Sequence, residues 1–411
     1  MPVHVTSEIG HLKRVVVHTP GPELLAVTPS TREHYLYDDI IDVEIAQAEH
    51  RRFVAVLERF STVHHVTDLL TELLSEPDPR ERLIAATMDV VASQRVAAEL
   101  RELAPELLVR EMIEGREEPP GPLSRTLNEC GFSLPALPNL FFTRDVAMVI
   151  NEHVMIGSMR YNARWTEELI MKALFSAHPA LLNRGILYDG AAERRVNFTL
   201  EGGDVHPLRR DLVMIGFSER SSPAAIDHLA ERLFAETDVR DVIVVVMPGE
   251  NTAIHLDMIF TQVDRRLALV YPPHFIGPER LPILRWRRGD AAMKEAPNVF
   301  AALRDCGVPI EPVFCGGERR AMQEREQWAS GCNMVALRPG VVLSYARNEA
   351  TLHEMEKAGF EVFTASDFLT GQRRITDDQR AVITFRGGEL VRGGGGPRCM
   401  TCPIERDDPW S

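Results

Sequence analysis

Four short clusters in this 411-residue chain hold residue types that can do chemistry. The first is Pro138-Asn139-Leu140-Phe141-Phe142-Thr143-Arg144-Asp145, and the second is Glu201-Gly202-Gly203-Asp204. The third is His255-Leu256-Asp257. The fourth, Arg398-Cys399-Met400-Thr401-Cys402-Pro403, follows a run of four glycines, Gly393 to Gly396. Each has a plainer reading. An aspartate ahead of a strand is commonly a turn residue, and Glu-Gly-Gly-Asp is turn-forming in composition. Two glycines in a row would let the backbone turn sharply while both carboxylates aim into a cavity. If His255 to Asp257 is extended, both side chains share one face, as a ligand pair or as the polar side of a half-buried strand. A free cysteine is commonly a buried structural residue.

The combination says more than any part. A thiol, an imidazole, a glutamate and two aspartates suit attack on a guanidinium carbon. That substrate stays charged, with a pKa above ~12, and presents a planar fork of donors that carboxylates match. Its carbon is a poor electrophile, so the nucleophile must be strong, and a thiolate qualifies. A free thiol has a pKa near ~8.5, and a bound guanidinium or a neighbouring imidazolium favours its ionised form. Departing ammonia needs a proton and an attacking water must lose one, both within the reach of histidine near neutral pH.

These clusters need a scaffold. Lys13 to His18 reads as a first strand, stopped by Thr19-Pro20-Gly21. A helix is predicted from about Asp42, with Phe53, Val56, Leu57 and Phe60 on its buried face. Asp68 to Glu118 reads as three amphipathic helices with no strand, broken near Pro77 to Pro79 and Pro105, and closed by the proline-rich loop of residues 117–122. From Asn139 onward short apolar strands alternate with helices. The strands are Val146–Ile150, Leu212–Gly216, Val242–Met247, Leu267–Tyr271, Val341–Tyr345 and Ala381–Phe385. The helices lie near Trp165–Phe175, Ala224–Phe234 and Glu349–Ala358. The pattern is α/β.

Hydrophobic residues make up 45% of the chain and charged residues 26%, enough apolar content for a core without disulfides or metals. The net charge of −14 disfavours nucleic acid as a partner and suits a small cation. No apolar run approaches the roughly 20 residues of a membrane span, and Met1 to Leu12 lacks the order of a signal peptide. The six cysteines, Cys130, Cys306, Cys315, Cys332, Cys399 and Cys402, are sparse, which points to a reducing cytoplasm.

The clusters, taken in order, resemble those of bacterial arginine deiminases in the guanidine-modifying superfamily. The resemblance runs nearly end to end. It takes in Glu8-Ile9-Gly10-His11-Leu12-Lys13, Tyr37-Asp38-Asp39-Ile40, Phe142-Thr143-Arg144-Asp145, Glu201-Gly202-Gly203-Asp204, His255-Leu256-Asp257, Glu326-Gln327-Trp328 and Gly395-Gly396-Pro397-Arg398-Cys399-Met400. It implies a five-bladed, pseudo-fivefold α/β propeller of residues 1–65 and 131–411, with an all-helical insertion over 66–130. It also implies hydrolysis of free L-arginine to citrulline and ammonia through a covalent cysteine intermediate, with neither cofactor nor metal. Cys399 would be the nucleophile, His255 the acid and then the base, and Glu201 their assistant. Asp145 and Asp257 would hold the guanidinium. Phe142 and Asp204 would contact substrate, and Arg164 and Arg220, with Asn139, would grip its carboxylate, with Arg160 a competitor. Two departures stand out. The family often carries an arginine within the glycine loop, where this chain offers only Arg392 and Arg398. Residues 368–388 are also longer than in many members and are expected to reshape one wall of the site.

Several rivals share these residues. An amidinotransferase or a methylated-arginine hydrolase would use the same set, and the acceptor is invisible in sequence. A metal-dependent hydrolase could use His255, Asp257, Glu201 and Asp204, but none sits in a His-x-x-His or Glu-x-x-His pair, and Glu8-x-x-His11 lies far off beside the first strand. A non-catalytic arginine-binding protein would not need every catalytic residue type. Cys399-x-x-Cys402 could be a redox or zinc pair, yet Pro403 follows where a helix would start and no second pair is spaced for zinc. The sequence leaves a homo-oligomer open.

Overall fold

The computed structural model describes residues 2–91, 96–118, 121–127, 131–192, 198–249 and 253–410. Cys130 and the Pro119-Pro120 pair lie outside them. Five sheets share one construction. Two antiparallel strands come first, a helix follows, and the next strand pairs parallel to the second. In one unit Ala147–Ile150 runs antiparallel to His153–Ile156, and Ile186–Asp189 returns parallel after the helix Trp165–Ala177. In the next, Val205–Arg209, Leu212–Phe217 and Asp241–Val246 repeat this around Pro223–Glu236. Phe260–Asp264, Leu267–Val270 and Glu311–Phe314 form a third, and Val335–Arg338, Val341–Tyr345 and Ala381–Phe385 a fourth. The fifth joins both ends of the chain. Its first strand is Cys402–Arg406, antiparallel to Leu12–Val17, and Thr62–His65 returns parallel after Val43–Leu57.

Local chemistry explains the elements. Val15, Val16 and Val17 are fully buried, as β-branched residues on a covered sheet should be. Asp42 caps its helix by accepting the Ile45 N–H at 2.9 Å. Phe53, Val56 and Leu57 line the buried face, but the helix stops at Leu57. Phe60 falls in the turn beyond and stacks on Phe368 instead.

Residues 66–127 are largely helical, with one departure from expectation in number. Pro105 opens a helix, so the expected third helix is two, Ala97–Glu102 and Pro105–Glu114. A short ribbon, Arg116–Glu117 with Phe132–Leu134, also stands where no strand was expected. The helices have no core of their own. Leu70, Ile84, Leu100 and Leu108 share one apolar cluster with Leu174, Ile156 and Cys402 of the sheet-bearing part. The stretch 368–388 does not border the site. Ala381–Phe385 is a fully buried inner strand of its sheet, and the residues before it run over the outer surface. No helix among the described residues is long and apolar enough to cross a membrane.

Candidate active site

The turns that enter the first strand of each unit converge. Thr143–Val146, a single helical turn, carries Asp145 into the strand beginning at Ala147. A short turn over Gly202–Asp204 precedes Val205, and another over Leu256–Met258 precedes Phe260. The third cluster is thus a tight turn and not an extended strand, which sends His255 and Asp257 to different partners. Asn333 stands two residues before Val335, and Cys399 three before Cys402. Around these turns lies a cavity of about 500 Å³, an ordinary size for a small-molecule site. Asn139, Phe142, Asp145, Arg164, Arg220, His255 and Cys399 line it, and none of its lining residues comes from the helical stretch 66–127.

Cys399 is 3% exposed. Its Sγ lies 3.5 Å from Asp257 Oδ2 and 3.1 Å from Asn333 Nδ2. Burial, then Asp257, then Asp145 push its thiol well above the usual range. Asp257 Oδ2 also accepts Arg398 at 2.8 Å, while its Oδ1 is buried without a partner. Asp145 repeats this design: Oδ2 accepts Arg164 at 2.7 Å, and Oδ1 is buried without a hydrogen-bond partner, 3.8 Å from His255 Nδ1. A buried carboxylate oxygen without a donor is costly, so the two mark a place for a cation bearing N–H groups. Cys402 is a different thiol. Its Sγ donates to the Ala147 carbonyl at 3.2 Å, and burial pushes it up to about 12.

His255 Nε2 lies 2.8 Å from Glu201 Oε2. Burial disfavours the imidazolium, but Asp145, the Glu201 hydrogen bond and Asp204 outweigh it and raise His255 to about 9. Burial alone would raise Glu201, yet Arg220 and His255 hold it well below the usual carboxylate range. The pair is therefore Glu201 carboxylate and His255 imidazolium. Glu201 sits behind His255, off the cavity wall. Asp204 does not contact the cavity either, contrary to expectation. Its oxygens are occupied by Ser218, Ser221 and the Leu256 N–H at 2.5, 2.6 and 2.9 Å, so it braces the turn that carries His255. The two glycines between Glu201 and Asp204 are required for close approach. A Cβ on Gly203 would stand 2.5 Å from His255 Nδ1, and one on Gly202 would strike the Arg144 carbonyl.

The two candidate carboxylate clamps differ. Arg164 is held by Asp145, by Glu167 and by the carbonyls of Asn139 and Phe142. Glu167, pushed up by burial against the pull of Arg164, titrates near about 7. Arg220 has fewer ties, to Glu219 at 2.7 Å and Glu201 at 3.3 Å, and lies 4.8 Å over the Tyr161 ring. Arg160 is exposed and off the wall, which removes it as a competitor. The glycine loop crosses Phe142, leaving no room for a side chain at Gly395, and Gly394 takes a φ of +82° that glycine alone adopts readily. Arg392 pairs with Asp39 and Glu389 outside the cavity.

Sequence reasoning missed three features. Glu8 is not remote: it pairs with Arg398, the residue before Cys399, at 3.1 Å and with Arg144 at 3.3 Å. Leu36 lines the mouth of the cavity with a φ of +66°, a conformation rare outside glycine. Asn333 carries no charge and stands in no catalytic cluster; only its place before a strand marks it. Asp145, Glu201 and His255 also bring donor atoms within 4.8 Å of one another, a spacing that could hold a metal ion. Glu201 Oε2 is already taken by His255 and Arg220, and Asp145 Oδ2 by Arg164, so ion pairs within the protein occupy most of that ligand set.

A family model described as "Arginine deiminase" matches residues 33–406. Arginine deiminase from Mycobacterium marinum is 33% identical over 98% of this chain and 97% of its own length. That from Listeria welshimeri is 32% identical over 99% of both. Among solved structures, the fold is shared with SxtG, an amidinotransferase from Microseira wollei, at a TM-score of 0.52 and 15% identity over 100% of this chain and 99% of that one. It is shared also with the N-terminal domain of ArgZ, a cyanobacterial arginine dihydrolase, at a TM-score of 0.52 and 13% identity over 95% and 97%. On its family match and on relatives a third identical from end to end, the chain belongs to the arginine deiminase family.

Proposed function

We propose that the protein hydrolyses free L-arginine to L-citrulline and ammonia, with Cys399 as nucleophile. The observation that carries this is the pair of buried carboxylate oxygens without a hydrogen-bond partner, Asp145 Oδ1 and Asp257 Oδ1, on the two aspartates whose charges bear on the Cys399 thiol. A guanidinium seated between them neutralises the two charges that oppose thiolate formation. The thiol is thus armed by its own substrate. Arg220, with the remaining N–H of Arg164, meets the substrate carboxylate.

Chemistry then follows from proton positions. As the guanidinium enters, the thiol proton passes to solvent, and the thiolate adds to the guanidinium carbon, forming a C–S bond. His255, protonated at neutral pH, gives its proton to one terminal nitrogen, and the C–N bond breaks to release ammonia. The resulting amidino-thioether is attacked by water, whose proton returns to His255. The C–S bond breaks, citrulline leaves and the thiolate is restored. Glu201 keeps His255 oriented and charged. The five similar units fit a five-bladed propeller of residues 1–65 and 131–411, the helices of 66–130 an insertion, and a reducing cytoplasm the thiol chemistry.

The test is direct. Incubation with arginine in the presence of chelator is expected to yield citrulline and one equivalent of ammonia. Loss of activity with chelator, or dependence on an amine acceptor, would overturn the reading.

A further inference from the structure

Four of the five converging turns deliver a charged or nucleophilic group: Asp145, Glu201, His255 with Asp257, and Cys399. The fifth delivers an amide, Asn333, fully buried. We propose that Asn333 is a further catalytic residue, which fixes the backbone of Cys399 with its carbonyl and stabilises the thiolate with its amide hydrogens. The proposal rests on Cys399 being the nucleophile.

The orientation of the amide is settled by its partners. Oδ1 accepts two backbone N–H groups, Arg398 at 3.0 Å and Cys399 at 3.2 Å. Only an oxygen can do so, and therefore the NH2 faces the other way. There it reaches Cys399 Sγ at 3.1 Å and the Asp257 carbonyl at 3.4 Å. Asp257 at 3.5 Å and the charge of Asp145 disfavour ionisation of the sulfur. The Gly396 backbone and Arg398 act in the opposite sense, and the Asn333 amide, a donor 3.1 Å from the sulfur, is placed to add to them. Such prearranged donors stabilise a charge without reorganisation, on attack and again when the thiolate departs. The glycine loop is built around this contact: a Cβ at Gly396 would stand 2.7 Å from Asn333 Cβ.

The test uses two variants and the parent protein. Asn333→Asp keeps an oxygen for both backbone N–H groups but turns an acceptor toward the sulfur. Asn333→Ala removes both ends. In whichever of them keeps the parent's circular dichroism, kcat is expected to fall at least ~100-fold with KM changed less than about threefold. The pH at which iodoacetamide labels Cys399 should rise by about one unit or more. Turnover within about threefold of the parent, or an unmoved labelling profile, would overturn the proposal. The parent gives an independent readout, since the Asn333 side-chain amide resonance must shift as Cys399 titrates; a resonance that stays in place counts equally against it. Label mapping to Cys402 in the parent would instead remove the nucleophile assignment, and the role of Asn333 with it.

Discussion

Replacing Gly203 with alanine tests the geometry of the site more sharply than removing a catalytic group. Gly203 does not have a left-handed φ, so alanine brings no backbone strain of that kind. What it brings is a methyl group 2.5 Å from His255 Nδ1 and 2.6 Å from Cγ. Ordinary contact begins near 3.4 Å, so the imidazole or the turn beneath it must give by about 0.9 Å. His255 is then drawn off its 2.8 Å bond to Glu201 and off the line of proton transfer. Misplacement by about 1 Å typically costs about 100-fold in rate, or ~2.7 kcal/mol of transition-state stabilisation. Citrulline release at saturating arginine measures it, with a thermal melt to verify the fold. Gly388→Ala is the control, because its Cβ would meet nothing closer than Glu49 Oε1 at 3.7 Å. Turnover of Gly203→Ala within about threefold of the parent would refute the reasoning.

Other outcomes follow from the same contacts. Cys399→Ser is expected to abolish turnover and Cys402→Ser to keep most of it, and an intermediate trapped for mass spectrometry must map to residue 399. Asp257→Asn should cost at least ~2 kcal/mol in kcat/KM by leaving the guanidinium partly unpaired; near-normal kinetics in a folded variant would reject that contact. Glu8→Gln strips the shared counter-ion from Arg144 and Arg398, and a denaturant titration should show a loss of about 3 kcal/mol, an unchanged midpoint being the contrary result. His255 has a folded-state pKa near 9 against an ordinary 6.5, so its protonation stabilises the fold fully below pH 6.5 and ceases to as pH rises through 9. The melting temperature of His255→Gln should accordingly fall less than the parent's across that window; parallel curves would contradict the charge state.

Much of this was legible in the chain, for identifiable reasons. Val341–Tyr345 and Ala381–Phe385 were read to the residue, because a fully covered strand is a continuous apolar run. Lys294–Ala296 and Glu361–Thr364 carry charge or exposed positions at sheet edges, and nothing in their composition separates them from loop. The reactive groups were legible because thiol, imidazole and carboxylate are scarce combinations. Their division into wall and support was not. Asp204 and Asp257 are identical in type, yet one is saturated by hydroxyls and a backbone N–H while the other keeps an oxygen free. That difference is made by partners distant in sequence. Glu8 lies 390 positions from Arg398 and still touches it. Asn333 escaped notice because an amide announces nothing until its neighbours are known.

The pairing of Cys402–Arg406 with Leu12–Val17 has a consequence for biosynthesis. Cys399, in the turn just before Cys402–Arg406, is translated after every other residue of the cavity wall. A chain that stops short of it holds four of the five turns but not the thiol that lines the cavity. Even in a full-length chain the thiol is positioned only when Cys402–Arg406 docks beside Leu12–Val17, so the site closes by joining segments from opposite ends of the sequence.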